Sequence, residues 1–120
     1  MKINTLTQLS NEPVNLPGAK AVTMSILVGP SDGSKNIIMR LFTVQPGGYT
    51  PHHQHAYEHV VKVEEGTGIV VDEFGKEHVI TVEQSVYVEP DKMHQFKNLS
   101  NKPFKFICVI PNPDKNVCKL

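Results

Sequence analysis

The sequence predicts a single all-β domain, and three observations carry that reading. Short runs rich in Val, Ile, Phe and Thr recur along the chain. Gly, Pro, Asn and Asp punctuate them, and no stretch holds a helical period of apolar residues over three turns. Such a pattern builds a sandwich, a barrel or a jelly roll. A length of 120 residues suits one core.

The elements follow in order. Residues 1–20 are polar, carry Pro13 and Pro17, and are expected to form an arm or irregular lead-in. The stretch AVTMSILVG (21–29) reads as a first strand, ended by the turn-rich GPSDGSKN. IIMRLFTV (37–44) is a strongly β-type run, closed by QPGG. HVVKVEEG is another, and GIVVDEFGKEHVITV is a hairpin turning at Glu73-Phe74-Gly75. SVYVEP (85–90) and HQFKN (94–98) are short strands, and FKFICVI (104–110) is the last, stopped by PNPD. The β region thus spans 21–113, with a tail at 114–120 and no repeat or linker that would split off a second domain.

Composition excludes several classes of function. Apolar residues make up 39% and charged residues 20%, a globular balance. Net charge is zero, so no basic footprint for nucleic acid or anionic lipid is present. No apolar run reaches the length of a membrane span, and the first residues lack the apolar core of a signal peptide. A cytoplasmic protein is expected. Two cysteines, Cys108 and Cys118, make no disulfide framework.

PHHQHAYEH (51–59) holds four histidines in nine positions. On a helix, His55-Ala56-Tyr57-Glu58-His59 would be the H-x-x-E-H of a zinc peptidase. On extended chain, alternate side chains share a face, so His53, His55, Tyr57 and His59 would point into one space and His52 and Glu58 away from it. The surroundings favour the extended form: Gly47, Gly48 and Pro51 precede the stretch, and Val60, Val61 and Val63 follow it. His53, His55 and His59 are then candidate metal ligands.

These residues carry a resemblance. Gly47, five residues, His53, one residue, His55, three residues, position 59, six residues and Gly66 resemble the first motif of the cupin family. Family members usually have Glu where this chain has His59. EQSVYVEPDKMHQFKN resembles the second motif, with His94 as a further ligand and Asn98 after it. Glu83 and Asp91 stand where the family usually has glycine, and Glu89 where it usually has the first proline. The resemblance covers about residues 36–112 and is closest to small cupins with a four-histidine site, including manganese-binding ones. It implies a double-stranded β-helix, or jelly-roll β-barrel, a metal inside it and a homodimer formed through the sheet.

The implied ligand set is His53, His55, His59 and His94, holding one divalent ion per chain. Mn or Fe is expected first, with Ni, Zn or Cu as alternatives; imidazole suits the last three and Fe. Four neutral donors leave the ion its full charge, which favours Lewis acidity and makes oxidation of the ion harder. Four ligands of a six-coordinate ion leave two positions for a substrate, or for a substrate and dioxygen.

Pocket candidates follow from alternation. Phe104, Phe106, Cys108 and Ile110 alternate against Lys105, Ile107 and Val109, so the Phe/Cys face should point inward. Cys108 is either a small core residue or a neighbour of the metal. Arg40, a charge within IIMRLFTV, is either an edge residue or a partner for a substrate carboxylate. Tyr49 and Tyr57 are either ordinary packing residues or wall residues and hydroxyl donors. His78 belongs to the surface, and Asn98 holds the turn after His94. No nucleophile elbow or phosphate loop is visible. The leading expectation is a metal-dependent enzyme acting on a small organic molecule, by oxidation first and by Lewis-acid isomerase or lyase chemistry second. A non-catalytic binding protein is the other class; the lack of an attached DNA-binding domain weighs against a regulator.

Overall fold

The computed structural model describes residues 1–114; Cys118 and the tail beyond Asp114 lie outside the described residues. Among the described residues, nine strands form one curled antiparallel sheet. They are β1 (Glu12–Pro13), β2 (Lys20–Val28), β3 (Ile37–Tyr49), β4 (His59–Glu65), β5 (Gly68–Val71), β6 (Glu77–Ile80), β7 (Ser85–Val88), β8 (Gln95–Lys97) and β9 (Phe104–Pro111). The main path runs β6-β5-β8-β3-β9-β4-β7, and β2 pairs β3 as a branch that also carries β1. Residues 51–59 are not helical, which removes the peptidase reading.

Alternation decides what the sheet encloses. On β9, Phe104, Phe106, Cys108 and Ile110 are buried while the residues between them are partly exposed. Their partners on β3 are Val44, Phe42, Arg40 and Ile38 respectively. From β4, Val61 lies opposite Cys108 and Val63 opposite Phe106. Val44, Val61, Val63 and Phe104 have no exposed surface, and they anchor the core with Phe96 and Ile80. Fully burying one such side chain is worth about 1.5–3 kcal/mol. The rings of Phe42, Phe106 and Phe96 stack in sequence, with centroids 5.2 and 4.4 Å apart. Gly68 is a close-approach glycine, because a methyl group there would overlap the ring of Phe104.

Two local expectations are corrected. QPGG does not close the third strand, which continues to Tyr49. Pairing with β2 jumps from Val22–Val44 to Lys20–Tyr49, so the extra residues form a bulge. Gly47 supplies its positive φ of 80°, and a bulge tolerates Pro46, which has no N–H to offer a ladder. The arm is also less irregular than expected. Its β1 pairs with Met24 and Thr23 of β2, and the Val14 N–H donates to the Val22 carbonyl at 2.9 Å. Further upstream, Leu6 and Leu9 share a surface groove with Leu27, Leu41 and Ile107 on the outer side of the sheet.

Candidate metal centre

Backbone pairing brings the two histidine segments together. His53 and His94 form an antiparallel bridge, with N–H to carbonyl distances of 3.1 and 2.9 Å. On one side of it the Thr50 N–H donates to the Phe96 carbonyl and the Phe96 N–H to Thr50 Oγ1, both at 2.9 Å. On the other, the Asp91 N–H donates to the His55 carbonyl at 2.7 Å. Asp91 sits at φ +63°, a left-handed conformation that Asp tolerates better than most residues. This explains how it stands where the resemblance expects glycine.

The alternation of residues 51–59 survives without a regular strand. His53, His55, Tyr57 and His59 all line one cavity, while His52, Gln54, Ala56 and Glu58 are exposed. Glu58 accepts a hydrogen bond from the Tyr87 hydroxyl at 3.0 Å on the outside. His94 enters the same cavity from the segment before β8. Ring centroids lie 4.3 Å apart for His53–His55, 4.9 Å for His59–His94, 5.1 Å for His53–His94, 5.3 Å for His55–His59 and 6.2 Å for His55–His94. Metal–imidazole bonds of about 2.0–2.1 Å would set rings about 4.5 Å apart at right angles and about 6.4 Å apart across an ion. The cluster spans that range. The ring nitrogens themselves are not drawn into a closed cage: among the described residues, no group of three or more His, Cys, Asp or Glu side chains has that arrangement.

The electrostatics suit neutral donors. Burial, together with the neighbouring rings and Arg40, pulls His53 down to about 4 and His59 to about 3. Burial shifts His55 and His94 in the same direction. The rings are therefore uncharged near neutrality and keep a lone pair each. His94 Nδ1 lies 2.9 Å from the Lys92 carbonyl, which can only accept a hydrogen bond, so Nδ1 carries the hydrogen and Nε2 is the lone-pair nitrogen. His59 Nδ1 is buried with no hydrogen-bond partner. A buried, unpaired nitrogen among three other imidazoles is costly unless something positive or protic meets it. In donor type and neutrality, and through that orphan nitrogen, the four histidines suit a divalent ion, although their present arrangement does not enclose one.

The cavity has a volume of about 390 Å³. Arg40, Tyr57, Phe106 and Cys108 line it, and the Tyr57 ring stacks on His55 at 4.8 Å. Tyr49 and Ile110, the other expected wall residues, do not. Tyr49 lies past the bulge and is 36% exposed, and Ile110 is buried in the core beside its partner Ile38. Sequence reasoning missed Phe42, Phe96, Met24, Thr50 and the arm residues Glu12–Leu16, all of which line the cavity. Phe42 follows Arg40 by two positions, so alternation alone could have placed it. Asn98 is fully buried, and its side-chain amide donates to the Val44 and Lys102 carbonyls at 2.8 and 2.7 Å. His78 is exposed and pairs with Asp72 at 2.8 Å, away from the cluster.

A curled antiparallel barrel with histidines gathered inside defines a class of small β-barrel proteins. The cupin domain family matches residues 40–110, more than half of the chain. The chain belongs to the cupin family. It is similar in structure to the polyketide cyclase RemF from Streptomyces resistomycificus, with 29% identity, a TM-score of 0.88 and coverage of 92% of this chain and 79% of that one. It also resembles a predicted oxalate decarboxylase from Thermotoga maritima (22% identity, TM-score 0.80, 92% and 98% covered). A sugar phosphate isomerase of the cupin superfamily from Silicibacter pomeroyi is similar too (24% identity, TM-score 0.80, 93% and 76% covered). These last two likenesses concern the fold alone. A search of curated protein sequences finds no match. No helix among the described residues is long and apolar enough to cross a membrane.

Proposed function

We propose that the protein is a metal-dependent enzyme that rearranges a small, carbonyl-rich and partly aromatic molecule without consuming an oxidant, by ring closure or a related isomerase or lyase step. His53, His55, His59 and His94 would hold one divalent ion. Mn or Fe remains first in expectation, followed by Ni, Zn or Cu. The observation that carries the reading is the gathering of four neutral imidazoles and a stacked aromatic wall around one cavity. The likeness to a polyketide cyclase at 29% identity supports it. A bound divalent ion supplies Lewis-acid polarisation of a carbonyl oxygen.

The chain's own residues do the rest. Phe42, Phe106 and Phe96 offer flat faces on which a planar substrate lies, fixing its plane. Tyr57, stacked on His55, walls the histidine side. The arm residues Glu12–Leu16 line the cavity too and shield it from water. Glu12, the one carboxylate among the lining residues, is hydrogen-bonded by the Ser10 hydroxyl.

Oxidation by dioxygen, expected first from the sequence, is the second reading. In its favour is the open space beside the rings. Against it stands the donor set, because no carboxylate among the four would stabilise an ion of higher charge. The homodimer is also proposed: Val60 and Tyr87, paired on neighbouring strands, expose an apolar outer patch that a second copy would cover. A cytoplasmic location is kept as part of the proposal.

The test follows the ring α-protons of 2,2-dimethylcyclohexane-1,3-dione, a diketone whose uncatalysed exchange is slow, by NMR in deuterated water while an electrode follows oxygen. Metal-loaded protein should speed deuterium exchange without taking up oxygen, and His53→Ala/His94→Ala should lose that effect. Oxygen uptake coupled to loss of the diketone would overturn the non-oxidative reading in favour of the second one. Neither effect would leave a binding protein.

A further inference from the structure

Arg40 is the only arginine in the chain, and it lies on the cavity wall. Its register explains why: it faces Cys108 across β3 and β9, in the row that also holds Phe42 and Phe106. A guanidinium brought inside a barrel normally meets a carboxylate, in a forked pair. Here no carboxylate of the described residues lies within ion-pair distance of it. Its one side-chain hydrogen bond goes from Nη2 to Cys108 Sγ at 3.2 Å. Burial pushes that thiol up, against the opposing pull of Arg40, so it stays neutral and is a weak acceptor. The carbon of the guanidinium lies 4.9 Å from the centre of the Phe42 ring, a second weak partner for a cation. Arg40 Nε is buried with nothing to donate to.

Arg40 therefore has no anionic partner in the cavity. The one carboxylate in the lining, Glu12, accepts from the Ser10 hydroxyl and lies beyond ion-pair distance of the guanidinium. A part-buried cation whose partners are a neutral thiol and a ring face is costly to keep. A substrate anion would remove that cost and satisfy Nε.

We propose that Arg40 is the substrate-binding residue for an anionic oxygen, so that the molecule held in the cavity is a carboxylate, seated with its charged end on the Arg40 fork and its flat body on Phe42 and Phe106. The proposal rests on the preceding one only in taking this cavity as the substrate site; it does not require a metal. Displacing the Cys108 thiol frees Nη2, and Nε and Nη2 then present two parallel donors to one carboxylate.

The experiment uses chelator-treated full-length protein at neutral pH, with benzoate as the probe and benzamide as its uncharged match. Calorimetry should show benzoate binding at least about 10-fold tighter than benzamide, the effect of a charge-assisted hydrogen bond. Arg40→Gln should abolish that preference and leave benzamide binding unchanged, and Arg40→Lys should keep part of it. In the unmutated protein, the single arginine Nε–H resonance should move with benzoate and stay still with benzamide, a readout that needs no folded variant. Equal binding of the two probes, a stationary Nε–H at saturating benzoate, or an intact preference in Arg40→Gln would each overturn the assignment. Failure of the metal proposal would show instead as absent metal uptake, with this preference untouched.

Discussion

Two rungs of the same strand pair, four residues apart, have opposite characters. At one, Val44 faces Phe104 and neither has any exposed surface. At the other, Arg40 pairs with Cys108 at the wall of an open cavity, with a buried Nε that has no partner. The pleat is the same, and side chains from both rungs point inward. The difference is that the first rung spends its inward positions on packing and the second leaves them unsatisfied. A single curled sheet thus makes a core and a site side by side, and the core holds the site in place.

The largest effect should come from the packed rung. Phe104→Ala should destabilise the fold by about 3–5 kcal/mol, measured by urea unfolding, because it removes a fully buried ring and leaves a cavity. A loss below about 1 kcal/mol would mean that this rung is not the tight end of the barrel. Acid should come next. The folded chain holds His53 at about 4 and His59 at about 3, against an ordinary value of 6.5. Between these limits the unfolded chain binds protons that the folded chain refuses, so metal-free stability should be full above pH 6.5 and fall as the pH drops toward 3. Thermal melts across that window check the sign. Stability unchanged down to pH 4 would place the rings in water instead.

Smaller changes sharpen the contrast from the other side. Arg40→Leu should stabilise the metal-free fold by about 1 kcal/mol, since it replaces an unpaired, part-buried cation with apolar volume. A clear loss in the same urea assay would make Arg40 a structural residue. The smallest effect is expected at Asp91→Gly, a gain of about 0.5 kcal/mol, because glycine adopts φ +63° without strain.

Much of this contrast was legible in the sequence, because it depends on local alternation. FKFICVI reveals its inward row directly, and PHHQHAYEH sends three of its four histidines to one side through residues that form no regular strand. What escaped depended on partners distant in sequence. Pro46, Gly47 and Gly48 carry the residue types of a turn, yet pairing with β2 makes them a bulge. The sequence offers Tyr49 as a wall residue as readily as a packing one, because nothing local marks the bulge that carries it past the cavity. Ile110 does face inward, but the wall turns from cavity to core between it and Cys108, and only the pairing with Ile38 shows where. The arm was opaque because its two paired residues and Val14 gain their order from β2. The pairing of Arg40 with a thiol in place of a carboxylate is likewise a matter of register, since 68 positions separate the two.

The central claim is that the unsatisfied end of the barrel is a metal centre built from four histidines. Elemental analysis of protein purified without a histidine tag, beside the His53→Ala/His94→Ala variant, tests it most directly. The account predicts about one divalent ion per chain in the unmutated protein and an affinity at least about 100-fold weaker in the variant, beyond the usual effect of losing a supporting group. A folded protein that takes up no ion after incubation with Mn, Fe, Ni, Zn or Cu, or a variant that binds as well as the parent, would contradict it.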